Sequence, residues 1–124
     1  MDAVRLEALG IDTEEGLAYC VNDPEFYEEM LGEYTADGKE AVTAMQRFLD
    51  AGDWQNYRIR AHSLKNTSRT IGARDISERA YALELAAAEK DAAAILALHG
   101  PFIDDLGVLL NALGETLGNN SHGS

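Results

Sequence analysis

The sequence predicts an all-α fold: an antiparallel up-and-down four-helix bundle preceded by short N-terminal helices. Three observations carry this. Ala, Leu and Glu are plentiful while the 124 residues hold only two prolines, a composition that favours helix. Apolar residues recur at spacings of three and four, and no segment sustains the alternation of a strand. Short connections separate four substantial helical segments, so consecutive helices should be antiparallel neighbours. The length suits one domain, expected over residues 1–118, with a disordered polar tail over 119–124 that contains His122.

Residues 2–9 read as a short helix that Gly10 ends. Asp12 or Thr13 caps a second one through about Val21, with Glu14 and Glu15 in the first turn, where the helix dipole favours anions. Asp23-Pro24 opens the third helix, a cap followed by proline at the first helical position. Phe26, Tyr27, Met30, Leu31 and Tyr34 begin its apolar stripe; Val42, Met45, Phe48 and Leu49 continue it to Ala51. Gly32 and Gly38 weaken this helix, so a kink is expected near residues 35–38. Gly52-Asp53 joins a stop to a cap, and the next helix runs from Trp54 to Ile71, where Gly72 ends it. Another helix spans about Asp75 to Glu89. Asp91 caps the last, which should reach Leu117 with a kink or break at Pro101.

A net charge of -12 argues against general affinity for nucleic acid or anionic membrane. The lone Cys20 cannot form an internal disulfide, and no cysteine cluster suggests zinc; it reads as a reduced, buried thiol. The N-terminus lacks the pattern of a signal peptide, and no apolar run is expected to reach the ~20 residues of a membrane span. The expected location is the cytoplasm.

The helix from Trp54 to Ile71 carries the chemistry. Trp54, Tyr57, Ala61, Leu64, Ser68 and Ile71 share one face, which should enter the core. His62 projects about 130° from the centre of that stripe and should face solvent. Lys65 at i+3, Asn66 at i+4 and Arg58 at i−4 lie one turn away, and Arg69 follows at i+7, two turns on. The chain has 22 acidic residues, yet none lies between Trp54 and Arg74, where five of its ten Lys and Arg residues fall. A basic strip on an acidic protein suggests an anion site, and the cations should help keep the imidazole neutral and nucleophilic. A neutral imidazole can take a phosphoryl group, whose charge Lys65 would screen directly, with Arg58 and Arg69 assisting or contacting a partner. No Gly-rich phosphate loop or carboxylate cluster for Mg²⁺ accompanies it, so no ATP site, metal or cofactor is expected.

Ala61-His62-Ser63-Leu64-Lys65, followed by Ile71-Gly72-Ala73, resembles the signature of histidine-containing phosphotransfer (HPt) domains, Ala-His-x-Leu-Lys-Gly and then Ile-Gly-Ala. Ala80 with Leu83-Glu84 is similar to a later family segment; Gly10-Ile11-Asp12 with Gly16-Leu17, and Asn22-Asp23-Pro24 with Tyr27, are similar to earlier ones. The resemblance covers about residues 9–115. It implies a helical bundle that relays phosphate between receiver-domain aspartates, with His62 as acceptor and Lys65 as its electrostatic partner. Response-regulator receivers and a hybrid histidine kinase are the implied partners. Asn66 departs from the pattern, standing where the family most often has Gly. It could crowd a docking receiver or hydrogen-bond the phosphoryl oxygens.

Ile59 is a candidate docking residue on the solvent side, unless the short N-terminal helices cover it. His99 and Trp54 read as packing residues, Asp104-Asp105 as a solvated face. Glu84, between two leucines, reads equally as an orienting residue or a structural ion pair. Two other readings compete. One is a non-phosphorylated adaptor for a receiver or kinase. The other is the dimerisation domain of a sensor kinase, which the Ser63 after His62 and the lack of a following proline disfavour. Length and capped ends favour an independent monomer.

Overall fold

The computed structural model describes residues 2–122, with side chains described through Gly118. The helices are α1 (Ala3–Ala8), α2 (Thr13–Tyr19), α3 (Pro24–Ala51), α4 (Trp54–Ile71), α5 (Arg74–Ala88) and α6 (Ala92–His122), and no strand occurs among the described residues. α3 lies between α4 and α6, and so does α5, while the diagonal pairs stay apart. This is a closed, up-and-down four-helix ring. α2 packs on α3 and α4, and α1 on α2 and α6.

The boundaries follow from caps. The carboxylates of Asp12, Asp23, Asp53 and Asp91 accept from backbone N–H groups in the first turns of α2, α3, α4 and α6. Gly52 and Gly72 end α3 and α4 in the left-handed conformation, at φ 66° and 89°. Gly72 also touches the N-terminal segment: its carbonyl accepts from Asp12 N–H at 2.9 Å.

Several expected features are corrected. α2 stops at Tyr19 rather than Val21, because Val21 and Asn22 adopt φ of 50° and 57°, which a right-handed helix cannot continue through. α3 runs unbroken across residues 35–38; Gly38 is the point of close approach to α6, where an added Cβ would lie 2.6 Å from Leu110 Cδ2. α5 begins at Arg74 and has no side-chain cap. α6 is continuous through Pro101. The carbonyl of Ala97 loses its helical donor to that proline, but Ala97 is exposed, so water can replace it. The same helix runs past its expected end at Leu117 to His122; Gly123 and Ser124 lie outside the described residues. Over Ala92–Gly118 it is also long and apolar enough to cross a membrane by length and composition, contrary to expectation. Ile95, Phe102, Leu106 and Leu113 on one side of it are buried in the bundle core.

Hydroxyl groups fix the rotation of α4 about its axis. Tyr27 Oη donates to Ile71 O, and Tyr34 Oη bonds Ser68 Oγ, both at 2.8 Å. Tyr57 Oη meets His99 Nδ1 at 2.8 Å, and His99 Nε2 meets Gln46 Oε1 at 3.0 Å. An amide oxygen only accepts, so Nε2 carries the proton and Nδ1 accepts from the tyrosine. Each bond satisfies a group that would be costly to bury alone.

His99 is the packing residue its sequence context suggested. Burial pushes its imidazolium below the usual histidine range, against the opposing charge of Asp50. The unfolded chain therefore takes up a proton near the ordinary value of 6.5 while the folded chain does not. Folding stability is full above that value and falls as pH drops through it, by at most about 1.4 kcal/mol per pH unit for one proton. Chemical denaturation at pH 7 and pH 5.5 checks this: His99→Gln should flatten the decline, and equal slopes in both proteins would refute it.

Candidate functional site

The buried face of α4 is the expected one: Tyr57, Ala61, Leu64, Ser68 and Ile71 are buried, and Trp54 packs partly buried against the core. With that face turned inward, His62 points outward, and its side chain is 52% exposed. The α4–α5 connection is only Gly72-Ala73, so α5 doubles back along α4. Ser77 Oγ donates to Lys65 O at 2.9 Å and pins the two helices together. Stepping back along α4 from Lys65 to His62 then corresponds to stepping forward along α5 to Glu84.

Glu84 meets both residues. Its Oε2 lies 2.8 Å from His62 Nδ1, and its Oε1 lies 2.9 Å from Lys65 Nζ. Lys65 Nζ is 3.4 Å from Nδ1 and sits 4.9 Å from the centre of the Tyr81 ring, within cation–π range. Burial pushes the Glu84 carboxyl up, but the contacts from Lys65 and His62 outweigh it and hold the group below the ordinary carboxylate range. A carboxylate can only accept, so a 2.8 Å contact requires the proton on Nδ1. In the neutral ring Nε2 then bears the lone pair. Nε2 accepts from Asn66 Nδ2–H at 3.2 Å.

The arrangement can hold one imidazole tautomer in place and present Nε2 at the protein surface. It can also place a cation beside any anion bonded there. Among the described residues no group of His, Cys, Asp and Glu side chains could hold a metal ion.

The residues singled out in the sequence separate into two groups. His62, Lys65 and Asn66 come together. Arg58 is exposed on the preceding turn without an ion pair or hydrogen bond among the described residues. Arg69 lines an open cleft with Lys65, Asn66, Ser77, Glu78 and Tyr81, and makes no contact with the ring. The expected trio of cations around the imidazole is therefore one cation and one anion. Ile59 is 57% exposed, uncovered by α1 or α2. Glu84, read from the sequence as an orienting residue or a structural ion pair, joins the site from another helix, bonding His62 and pairing with Lys65.

The family model of the Hpt domain matches residues 29–119. The chain belongs to the Hpt domain family. Hpt domains are histidine phosphotransfer modules of phosphorelays, carriers rather than enzymes with their own substrate, and they work with receiver domains and histidine kinases. The match begins inside α3, so α1 and α2 of this Hpt domain lie outside it. The histidine-containing phosphotransfer protein B (HptB) of Pseudomonas aeruginosa PAO1 has the same fold: its crystal structure superposes with a TM-score of 0.77 at 21% identity, covering 88% of this chain and 95% of that one. A comparison with curated proteins finds no match.

Proposed function

We propose that this Hpt domain accepts a phosphoryl group on His62 Nε2 from a receiver aspartate and passes it to another receiver in a cytoplasmic phosphorelay. The donor receiver would belong to a hybrid histidine kinase. The observation that carries the proposal is the 2.8 Å contact between Glu84 and Nδ1 on a half-exposed imidazole, which commits the ring to one tautomer and frees the outward nitrogen to react.

The transfer balances without a cofactor. The Nε2 lone pair attacks the phosphorus of the receiver's aspartyl phosphate, the P–O bond breaks, and the aspartate leaves as a carboxylate. The imidazole, which keeps its Nδ1 proton, becomes cationic as the P–N bond forms. Glu84 opposes that charge through the same hydrogen bond, and Lys65 faces the phosphoryl oxygens. The reverse sequence delivers the group onward. Ile59 and the exposed ring of Tyr81 flank the site and suit the apolar part of a docking surface, with Arg58 and Arg69 available to acidic receiver residues.

Incubation with a phosphorylated receiver tests the proposal. The wild-type chain should gain acid-labile, base-stable label. Glu84→Ala should fold normally and label roughly ten- to a hundred-fold more slowly, the scale of one hydrogen bond to a charged group. A wild-type chain that binds the receiver without gaining label would be an adaptor, and the proposal would fail.

A further inference from the structure

The geometry points to Asn66 as a positioning residue whose amide occupies the nucleophilic lone pair of His62 before transfer and moves onto a phosphoryl oxygen after it. This inference rests on the reading of His62 as phosphoacceptor.

Asn66 Nδ2 lies 3.2 Å from Nε2, on the nitrogen that Glu84 leaves unprotonated. A phosphorus atom bonded to Nε2 must occupy that same lone-pair direction, so the amide has to leave it. Nothing holds the amide elsewhere: Asn66 is exposed, and its side chain makes no other hydrogen bond among the described residues. Once the P–N bond exists, Nε2 no longer accepts. The nearest new acceptors are the phosphoryl oxygens, which arrive where the amide stood. The N–H then exchanges a neutral acceptor for an anionic one, and hydrogen bonds to anionic acceptors are roughly twice as strong.

Asn66 therefore acts in opposite senses on the two states. It restrains the free ring weakly, as a brake on attack, and it holds the phosphorylated ring more strongly. Loss of the phosphoryl group to water proceeds through a largely dissociative transition state, in which charge on the transferring oxygens declines. A donor to those oxygens thus favours the phosphohistidine over the transition state and lengthens its lifetime.

Phosphoramidate serves as the phosphodonor, its P–N bond breaking to release ammonia as the bond to Nε2 forms. Alanine at position 66 removes the amide without weakening the helix. Asn66→Ala should accept phosphate at least as fast as wild type, and its phosphohistidine should hydrolyse about five- to ten-fold faster. The Nε2 ¹⁵N signal of the unmodified variant should shift toward that of an unbonded lone pair, a readout that a purely structural role would leave in place. Asn66→Asp, which cannot donate, should shorten the lifetime at least as much. An unchanged phosphohistidine lifetime and Nε2 signal in Asn66→Ala, or slower acceptance, would overturn the assignment while leaving His62 as acceptor. Failure of the wild-type chain to label on His62 would overturn both.

Discussion

His62→Gln is expected to lose all acid-labile phosphorylation while remaining folded. The substitution removes the one imidazole on α4, and no nearby group can replace it. His99 is 4% exposed, with both ring nitrogens engaged by Tyr57 and Gln46. Glutamine keeps most of the side-chain length, and its amide can still donate toward Glu84. The Lys65–Glu84 ion pair is independent of the ring. Stability should therefore change by no more than about 0.5–1 kcal/mol, as for other exposed positions. Label counting after incubation with a phosphorylated receiver, with circular dichroism of the same sample, checks both parts. Undiminished label on the folded variant would place the acceptor elsewhere.

Gly72→Ala is expected to give the largest loss of stability, roughly 2–5 kcal/mol, from left-handed strain together with overpacking against an immovable neighbour. Gly72 has φ 89°, and an added Cβ would stand 2.1 Å from Asp12 O and 2.9 Å from Asp12 C, both backbone atoms. The same segment supplies the hydrogen bond from Asp12 N–H to Gly72 O, so relief of the clash would also break that contact. Gly52 is an internal control. It is left-handed at φ 66° and has nothing within 4 Å of an added Cβ. Gly52→Ala should cost only the conformational part, about 1–2 kcal/mol. Urea denaturation of the two variants separates the contributions, and equal losses would mean that α2 is not held against the end of α4.

Those two glycines also show what kind of information the chain wears openly. Helix starts and stops are local events, decided by one side chain and the backbone within a turn of it. Asp23-Pro24, Gly52-Asp53 and Gly72 were therefore readable, and so was the inward stripe of α4, because periodicity within one helix needs no knowledge of its neighbours. The expected weaknesses at Gly32, Gly38 and Pro101 failed for the complementary reason. Intrinsic propensity is a small preference, and packing against an adjacent helix overrides it, as Leu110 does at Gly38.

The site divides along the same line. His62, Lys65 and Asn66 lie within one turn of each other on α4, so their proximity follows from helical spacing alone. Glu84 depends on the rotation and offset of α5 relative to α4, which Ser77, Ala73 and the core set together. Wheel arithmetic also brings Arg58 and Arg69 near the ring, but neither side chain reaches it, since long exposed side chains follow solvent and local neighbours rather than the angle of their Cβ. The charge around the imidazole is for this reason a paired Lys65 and Glu84 rather than a cluster of cations.

Phosphorus–nitrogen coupling in the phosphorylated protein addresses the chemistry without intermediaries. With histidine labelled in ¹⁵N and the phosphoryl group delivered by a receiver, a one-bond coupling to Nε2 of His62 is predicted, with Nδ1 still protonated toward Glu84. Phosphorus bonded to Nδ1, or to any residue other than His62, would contradict the account.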